Sequence, residues 1–438
     1  MKEEQKAAIY PAVPQDRMNY LLGLISAVQQ IGTTLHFSKQ LDTSLLKQAL
    51  QLITVKNPIL NSRFVETETP YWEKSTEHSI EFPLSIQYCE ESERESEIIA
   101  FLAQPIDWIN GPVLVVRLFR SEHDSLSFKI SHLCMDGAGV KEFIELLASL
   151  YTRLFERESY HSIYQEMMEG EHGFRDQAPL FAAAGITDIS SALREHAGSA
   201  SLWSFPSTSQ DNFTPVIALR SLDLHQTEKL IDATKSAGAT INDGLVAAYF
   251  QSLVKQAVYA EPRTKEKAIG ITVDLRRYLP TRTTGALCNL SGMEMPQIEM
   301  NEGDRFETTL VKVKHAMDTI KKNRPGLSSA AGMERMAAIP LSTARAAMAK
   351  QHEMACQMKM ALPLMTNFGF LSEIDIQFGP CDAVKGYMTS PIMHAPFFSM
   401  GASSYRNTLT LCIGYHTPAV SENEVSKLLD NMILELTE

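Results

Sequence analysis

GPVLVVRLFRSEHDSLSFKISHLCMDGAGVKEF, residues Gly111 to Phe143, changes its periodicity twice, and the reading of the fold turns on those changes. Pro112 to Phe119 is a β-rich run, and Ser121 to Ser125 is a polar turn. Leu126, Phe128 and Ile130 then alternate with Ser127 and Lys129, the period of a half-buried strand. After Gly139 the spacing becomes helical: Val140, Phe143, Ile144, Leu147, Leu150 and Tyr151 fall on one face. The segment therefore predicts strand, turn, strand, short loop, helix.

The short loop is His132-Leu133-Cys134-Met135-Asp136-Gly137. Alternation puts His132 on the face of Leu126, Phe128 and Ile130, where the chain leaves the sheet. A histidine titrates near pH ~6.5, so its neutral ring is available as a general base around neutrality. Asp136 is short enough to tie the loop to backbone or to an arginine. Gly137 permits a close approach to the helix that follows. The plain reading has weight too: Asp-Gly is a common turn, and a histidine at a strand end is more often a satisfied core or surface group. The strand–loop–helix setting is what favours chemistry.

Working outward, Leu41 to Phe64 opens with Asp42 as a helix cap, and Leu46, Ala49, Leu50 and Ile53 share a face. Asn57-Pro58 stops that helix, and Ile59 to Val65 reads as a strand. Thr240 to Lys255 reads as a capped helix and Ile271 to Leu275 as a strand. Leu310, Val313, Met317 and Ile320 lie on one helical face. Ser328 to Met360 reads as helical, broken at Pro340, and Leu409 to Tyr415 as a closing strand. The Ser/Gly/Pro/Thr-rich stretch His196 to Thr214 is a candidate linker. Division at 196–215 leaves 1–195 and 216–438 as two α+β units. The regular β–α alternation of nucleotide-binding folds is missing, as are their glycine-rich signatures.

The 438 residues carry 40 Lys+Arg against 52 Asp+Glu, a net charge of −12, which argues against a nucleic-acid backbone as partner. Cys89, Cys134, Cys288, Cys356, Cys381 and Cys412 are scattered without a CxxC pair, which speaks against zinc and against a disulfide framework. No apolar run reaches the ~18 residues of a membrane helix, and MKEEQKAAIYPAVPQ has no signal-peptide core. These features predict a reduced, cytoplasmic protein. Cys134 lacks the neighbours of a cysteine nucleophile. Asn242-Asp243 reads as a helix cap, His394 and His416 as structural. Met333, Met336, Met348, Met354, Met358 and Met360 read as core, or less simply as an adaptable wall for an acyl chain.

HLCMDG resembles the HxxxDG signature of the chloramphenicol acetyltransferase-like superfamily, which includes condensation domains, alcohol acetyltransferases and wax-ester and plant acyltransferases. LDTSLLKQALQLITVKNPILNSRF resembles that family's first helix and the strand after it. ATINDGLVAAYF (Ala239 to Phe250), VDLRRYLP (Val273 to Pro280) and TNFGFL (Thr366 to Leu371) resemble later elements, in the family's order.

The resemblance implies two chloramphenicol acetyltransferase-like subdomains, each a mixed sheet flanked by helices, with a tunnel between them. It implies acyl transfer from acyl-CoA or a carrier-bound phosphopantetheine thioester to a hydroxyl or amine. His132 would be the base, with no metal and no tightly bound cofactor, and any carrier protein would act in trans. Asp136 would be structural, paired with Arg276 or Arg277, with Gly137 in the loop and Asn367 and Gly369 in the late element. Two departures stand out. Ser131 occupies the place of the first of two histidines in condensation domains, which moves the reading towards single-histidine acyltransferases. Alternation turns Ser131 to the face opposite His132, so it is expected to be structural. Asn61 replaces the family's usual arginine, with Arg63 two places on, so the loop's anchoring is expected to differ. A stand-alone condensation-type enzyme and a catalytically silent binding protein remain the rival readings.

Overall fold

The computed structural model describes residues 8–74, 84–170, 173–194, 202–207, 214–256, 266–301 and 303–437. Residues 196–201 and 208–213 of the expected linker lie outside them.

Two six-stranded mixed sheets organise the chain. The first runs Gln377–Phe378, Cys381–Thr389, Gln30–Phe37, Asp124–Ser131, Leu114–Arg120, Leu84–Tyr88. Among the described residues its only parallel pair joins Leu84–Tyr88 to Leu114–Arg120. The second runs Ser291–Glu294, Gly270–Asp274, Leu364–Phe370, Ser399–Tyr405, Thr408–Thr417, Thr214–Leu222. Leu364–Phe370 is parallel to both of its neighbours. The α+β architecture with two mixed sheets flanked by helices is as the sequence implies.

Division at 196–215 does not separate the sheets cleanly. Cys381–Thr389, far along the second half, pairs antiparallel with Gln30–Phe37 and so brings itself and Gln377–Phe378 into the first sheet, and Ile392–Met393 pairs with Ser26–Val28 of the first half.

Asp42 caps the helix Thr43–Lys56 by accepting from the N–H groups of Ser44 and Leu45. Val140, Phe143, Ile144, Leu147, Leu150 and Tyr151 are all buried on the helix Gly137–Phe155, and the Phe143 ring meets Phe128 edge-on at 5.1 Å. That contact sets the helix across one face of the strand Asp124–Ser131.

The strand itself corrects the expectation of half-burial: all eight residues are buried. Its polar face is satisfied internally. Ser127 bonds Thr34 at 2.9 Å, Ser125 bonds His36 Nδ1 at 2.9 Å, and Lys129 Nζ donates to the Gln104 carbonyl while lying 4.4 Å over the Phe101 ring.

Other elements differ in detail. Pro58–Asn61 is a 3₁₀ turn, and the strand starts only at Ser62. Pro340 separates the helices Leu327–Ala337 and Leu341–Met358. Of the six methionines on and around them none is fully buried: Met336 and Met348 are half-buried against the first core, and Met354 and Met358 are each 49% exposed. Leu341–Met358 fully buries only Leu341, Ala344 and Ala355. Among the described residues no helix is long and apolar enough to cross a membrane.

Candidate active site

His132 is the first residue beyond the strand Asp124–Ser131. Its N–H donates to the Gln29 carbonyl at 3.0 Å, and its carbonyl accepts from Asn289 Nδ2 at 3.0 Å. The backbone is therefore held from both halves of the chain. Nδ1 of the ring lies 3.1 Å from the Met135 carbonyl. A carbonyl can only accept, so Nδ1 carries the hydrogen and Nε2 keeps the lone pair. Desolvation lowers the imidazole pKa; the Asp136 charge and the Met135 contact oppose it without overcoming it. The ring is thus neutral at pH 7, with its basic nitrogen defined.

Asp136 makes three connections. Oδ1 caps the helix by accepting from Gly139 N at 2.8 Å. Oδ2 accepts from Leu290 N at 2.6 Å and from Arg276 Nη1 at 3.0 Å. Burial pushes its carboxyl up, but Arg276 and the hydrogen bonds outweigh burial and hold it below the usual carboxylate value.

Arg276, 2% exposed, also donates from Nη2 to the Cys288 carbonyl at 2.9 Å and faces Asp274 at 3.3 Å and Glu142 at 3.5 Å. Of the two arginines offered by the sequence, Arg276 is the partner; Arg277 is exposed and turned elsewhere. The Asp274 carboxylate caps the turn Leu275–Tyr278 through Arg276 N, which aims the guanidinium inward.

Gly137 matters through space. A Cβ there would lie 2.5 Å from the Phe368 ring, so its absence lets the strand Leu364–Phe370 press on the start of the helix. The close approach is to that strand, not to the helix that Gly137 itself begins. Asn367 lines the same cavity as His132 and donates to Asn242 Oδ1 at 3.2 Å. Gly369, at φ +69°, sits in a β-bulge and donates its N–H to Asn367 Oδ1 at 2.9 Å. It orients Asn367 and does not itself line the cavity. The Asn242-Asp243 reading as a cap holds for Asp243, which exchanges hydrogen bonds with Thr240. His416 is buried, its Nδ1 lies 3.2 Å from the Met393 carbonyl, and its ring stacks on His394 at 4.7 Å.

The His132 cavity, about 100 Å³ and open to solvent, is also lined by Asp136, Lys141, Thr272 and Phe368. A larger, mostly apolar cavity of about 460 Å³ lies against the other part of the loop, at Cys134, with Ile59, Leu60 and Leu287 in its wall. Cys134 is no nucleophile: burial pushes its thiol up to about 12 and Sγ donates to the Ser131 carbonyl. Ser131 is fully buried, accepts from Leu133 N at 3.4 Å, and does not line the His132 cavity.

Three site groups are absent from the sequence reading. Asn289, fully buried, donates to the carbonyls of both His132 and Leu133. Arg175 donates to the Cys134 carbonyl at 3.3 Å while paired with the buried Asp16, which also accepts from Trp72 Nε1. That pair is the loop's second anchor. Arg63 plays no such part: it bonds Glu73 at the surface. A polar Asn flanked by Cys288 and Leu290 was the available signal for Asn289; nothing local marks Asp16 or Arg175.

The fold is one of two mixed sheets flanked by helices, with His132 at the wall of a cavity. A family model for the condensation domain matches residues 14–322, well over half the chain, and the chain belongs to that family. No curated protein matches the sequence. Among solved structures, the first condensation domain of the CDA synthetase is similar at TM-score 0.68 and 15% identity, covering 99% of this chain and 96% of that one. TRI3 trichothecene 15-O-acetyltransferase from Fusarium sporotrichioides is similar at TM-score 0.68 and 13% identity, over 99% and 95% of the two chains. The starter condensation domain of rhizomide synthetase, in complex with C8-CoA and Leu-SNAC, is similar at TM-score 0.64 and 13% identity, over 98% and 94%.

Proposed function

We propose that the protein transfers an acyl group from a thioester donor, acyl-CoA or an acylated carrier protein, to a hydroxyl or amine acceptor, with His132 as general base. The observation that carries this reading is the fixed tautomer of a neutral imidazole at the wall of a solvent-reached cavity. Nε2 takes the acceptor's proton as its oxygen or nitrogen bonds to the thioester carbonyl carbon. The tetrahedral intermediate collapses, the C–S bond breaks, and the leaving thiolate regains a proton from the imidazolium. His132 ends neutral, and no acyl-enzyme is required. Asp136 and Arg276 act on the loop and not on substrate.

Family membership favours one second reading, a condensation-type enzyme working on carrier-bound substrates. Ser131, in place of a first histidine, weighs towards simple acyl transfer.

His132→Ala is expected to cut acyl transfer by about 10²–10⁴-fold and to leave the circular-dichroism spectrum and melting temperature near those of the parent. A folded His132→Ala protein with the parent's rate would overturn the assignment.

A further inference from the structure

The charges in the wall of the His132 cavity are not spent alike. Asp136 pairs with Arg276 at 3.0 Å, and Asp274, which also lines the cavity, faces the same guanidinium at 3.3 Å. Lys141 lines the cavity too. It sits on the helix Gly137–Phe155, one turn beyond Gly137, and is half-buried. Its ammonium donates to the Phe368 carbonyl at 3.0 Å and makes no ion pair among the described residues. That bond ties the charge to the strand Leu364–Phe370, at the cavity wall. An ammonium has three hydrogens, so two remain for a partner. Ser291 and Thr366 line the same cavity, and neither hydroxyl makes a hydrogen bond among the described residues. The cavity's volume, about 100 Å³, brings these groups and the imidazole within reach of one small molecule.

We propose that Lys141 binds a free carboxylate on the acyl acceptor, with the Ser291 and Thr366 hydroxyls donating to its oxygens, so that the acceptor is a small hydroxy or amino acid. This rests on the acyltransferase reading and names its acceptor class. The acceptor is the substrate that must enter this cavity, because a general base works only within hydrogen-bond reach of the proton it takes. The acceptor's hydroxyl or amine gives that proton to Nε2 as its oxygen or nitrogen bonds to the thioester carbonyl carbon. The thiol leaves, and the carboxylate stays ionised throughout. A carboxylate gives the ammonium a charge-assisted bond that the Phe368 carbonyl does not. A neutral acceptor leaves the ammonium and both hydroxyls short of partners, which is how a polar site rejects an analogue. The same carboxylate separates the two readings of the reaction. In a carrier-bound acceptor that carboxyl is tied up in the thioester and offers Lys141 no charge.

The test sets acids against their own amides. Glycolate, lactate, serine and leucine, each beside its primary amide, are titrated calorimetrically into the full chain at low ionic strength, where solvent-reached charges act most strongly. The same pairs are then offered as acceptors with acetyl-CoA. For at least one pair the parent should bind the acid tighter than the amide by about tenfold or more. Lys141→Gln should bring that ratio close to one, and Lys141→Arg should keep most of it. A thermal melt confirms folding, and Lys141→Met replaces the Gln variant if that one melts early. No acid bound in preference to its amide, or a preference that survives removal of the ammonium, would overturn the site. A fall in kcat shared equally by acid and amide would put Lys141 on the oxyanion that develops at the thioester carbonyl, and would overturn it as well. If the parent prefers acids through Lys141 but transfers no acyl group from any thioester, the catalytic reading fails alone. If it acylates acids and amides alike, the inference fails alone.

Discussion

The Met135 carbonyl decides which nitrogen of His132 carries the hydrogen, and desolvation decides over what pH range the ring stays neutral. Because burial disfavours the imidazolium, the folded-state pKa lies below the ordinary value of about 6.5. Activity should therefore be flat through pH 7–8 and fall on an acidic limb whose apparent pKa in kcat/KM is below 6.5. An acidic limb at or above 6.5 would contradict the burial. The same shift affects stability. Between the folded and unfolded pKa values the unfolded chain binds more protons, so this contribution is complete above about 6.5 and is lost as pH falls through that window. Asp136 makes a separate prediction. Its removal leaves the Arg276 guanidinium buried beside Cys288 and takes the cap from Gly139, so Asp136→Ala should destabilise by about 3–5 kcal/mol and lower activity as well. Denaturant melts measure this, and a variant as stable as the parent would sink the structural role.

At the scale of elements, the start of the motif helix is pressed between two neighbours. Gly137 faces the Phe368 ring, and a Cβ on Gly139 would lie 2.5 Å from Met135 Cγ and 2.8 Å from the Cys288 carbonyl. Gly137→Ala should cost about 1–3 kcal/mol by overpacking, and Phe368→Leu should recover part of that loss in the double variant. Strictly additive melting data would mean the ring is not the obstacle. Much at this scale was legible. Asp42 caps its helix as read, and all six apolar positions from Val140 to Tyr151 are buried. Two readings failed for a shared reason: burial depends on what the fold stacks on an element. Alternation predicts one buried face for Leu126–Ile130, but Thr34, His36, Phe101 and Gln104 cover the other. The methionines near Leu341–Met358 are apolar enough for a core, yet Leu341, Ala344 and Ala355 are that helix's fully buried residues, Met336 and Met348 only lean on the core, and Met354 and Met358 face outward.

Across the whole molecule, the site is assembled from groups that are remote in sequence. The motif supplies His132 and Asp136, and the family resemblance narrowed the partner to two arginines, between which only the turn at Leu275–Tyr278 chooses. Asn289 carried only a faint local signal, and Arg175 and Asp16 none, because each acts across more than 40 residues of chain, on backbone carbonyls or on one another. The crossing strand Cys381–Thr389 was equally hidden, since its membership in the first sheet is a matter of topology and not of its own pattern. That strand yields the last prediction. Without it, Gln30–Phe37, buried along its full length, becomes an exposed edge, and the backbone groups that pair with Gly386, Tyr387 and Met388 lose their partners. Asp136 at the same time loses Arg276 and Leu290, and the loop carbonyls lose Asn289. Residues 1–195 and 196–438 produced as separate chains should each aggregate or lack a cooperative melt. Co-expressed, they should purify as a one-to-one complex with a single thermal transition, because the first sheet and the motif loop are completed only by both. A monomeric, cooperatively folded 1–195 fragment would show that the crossing strand is dispensable and that the first half carries its sheet alone.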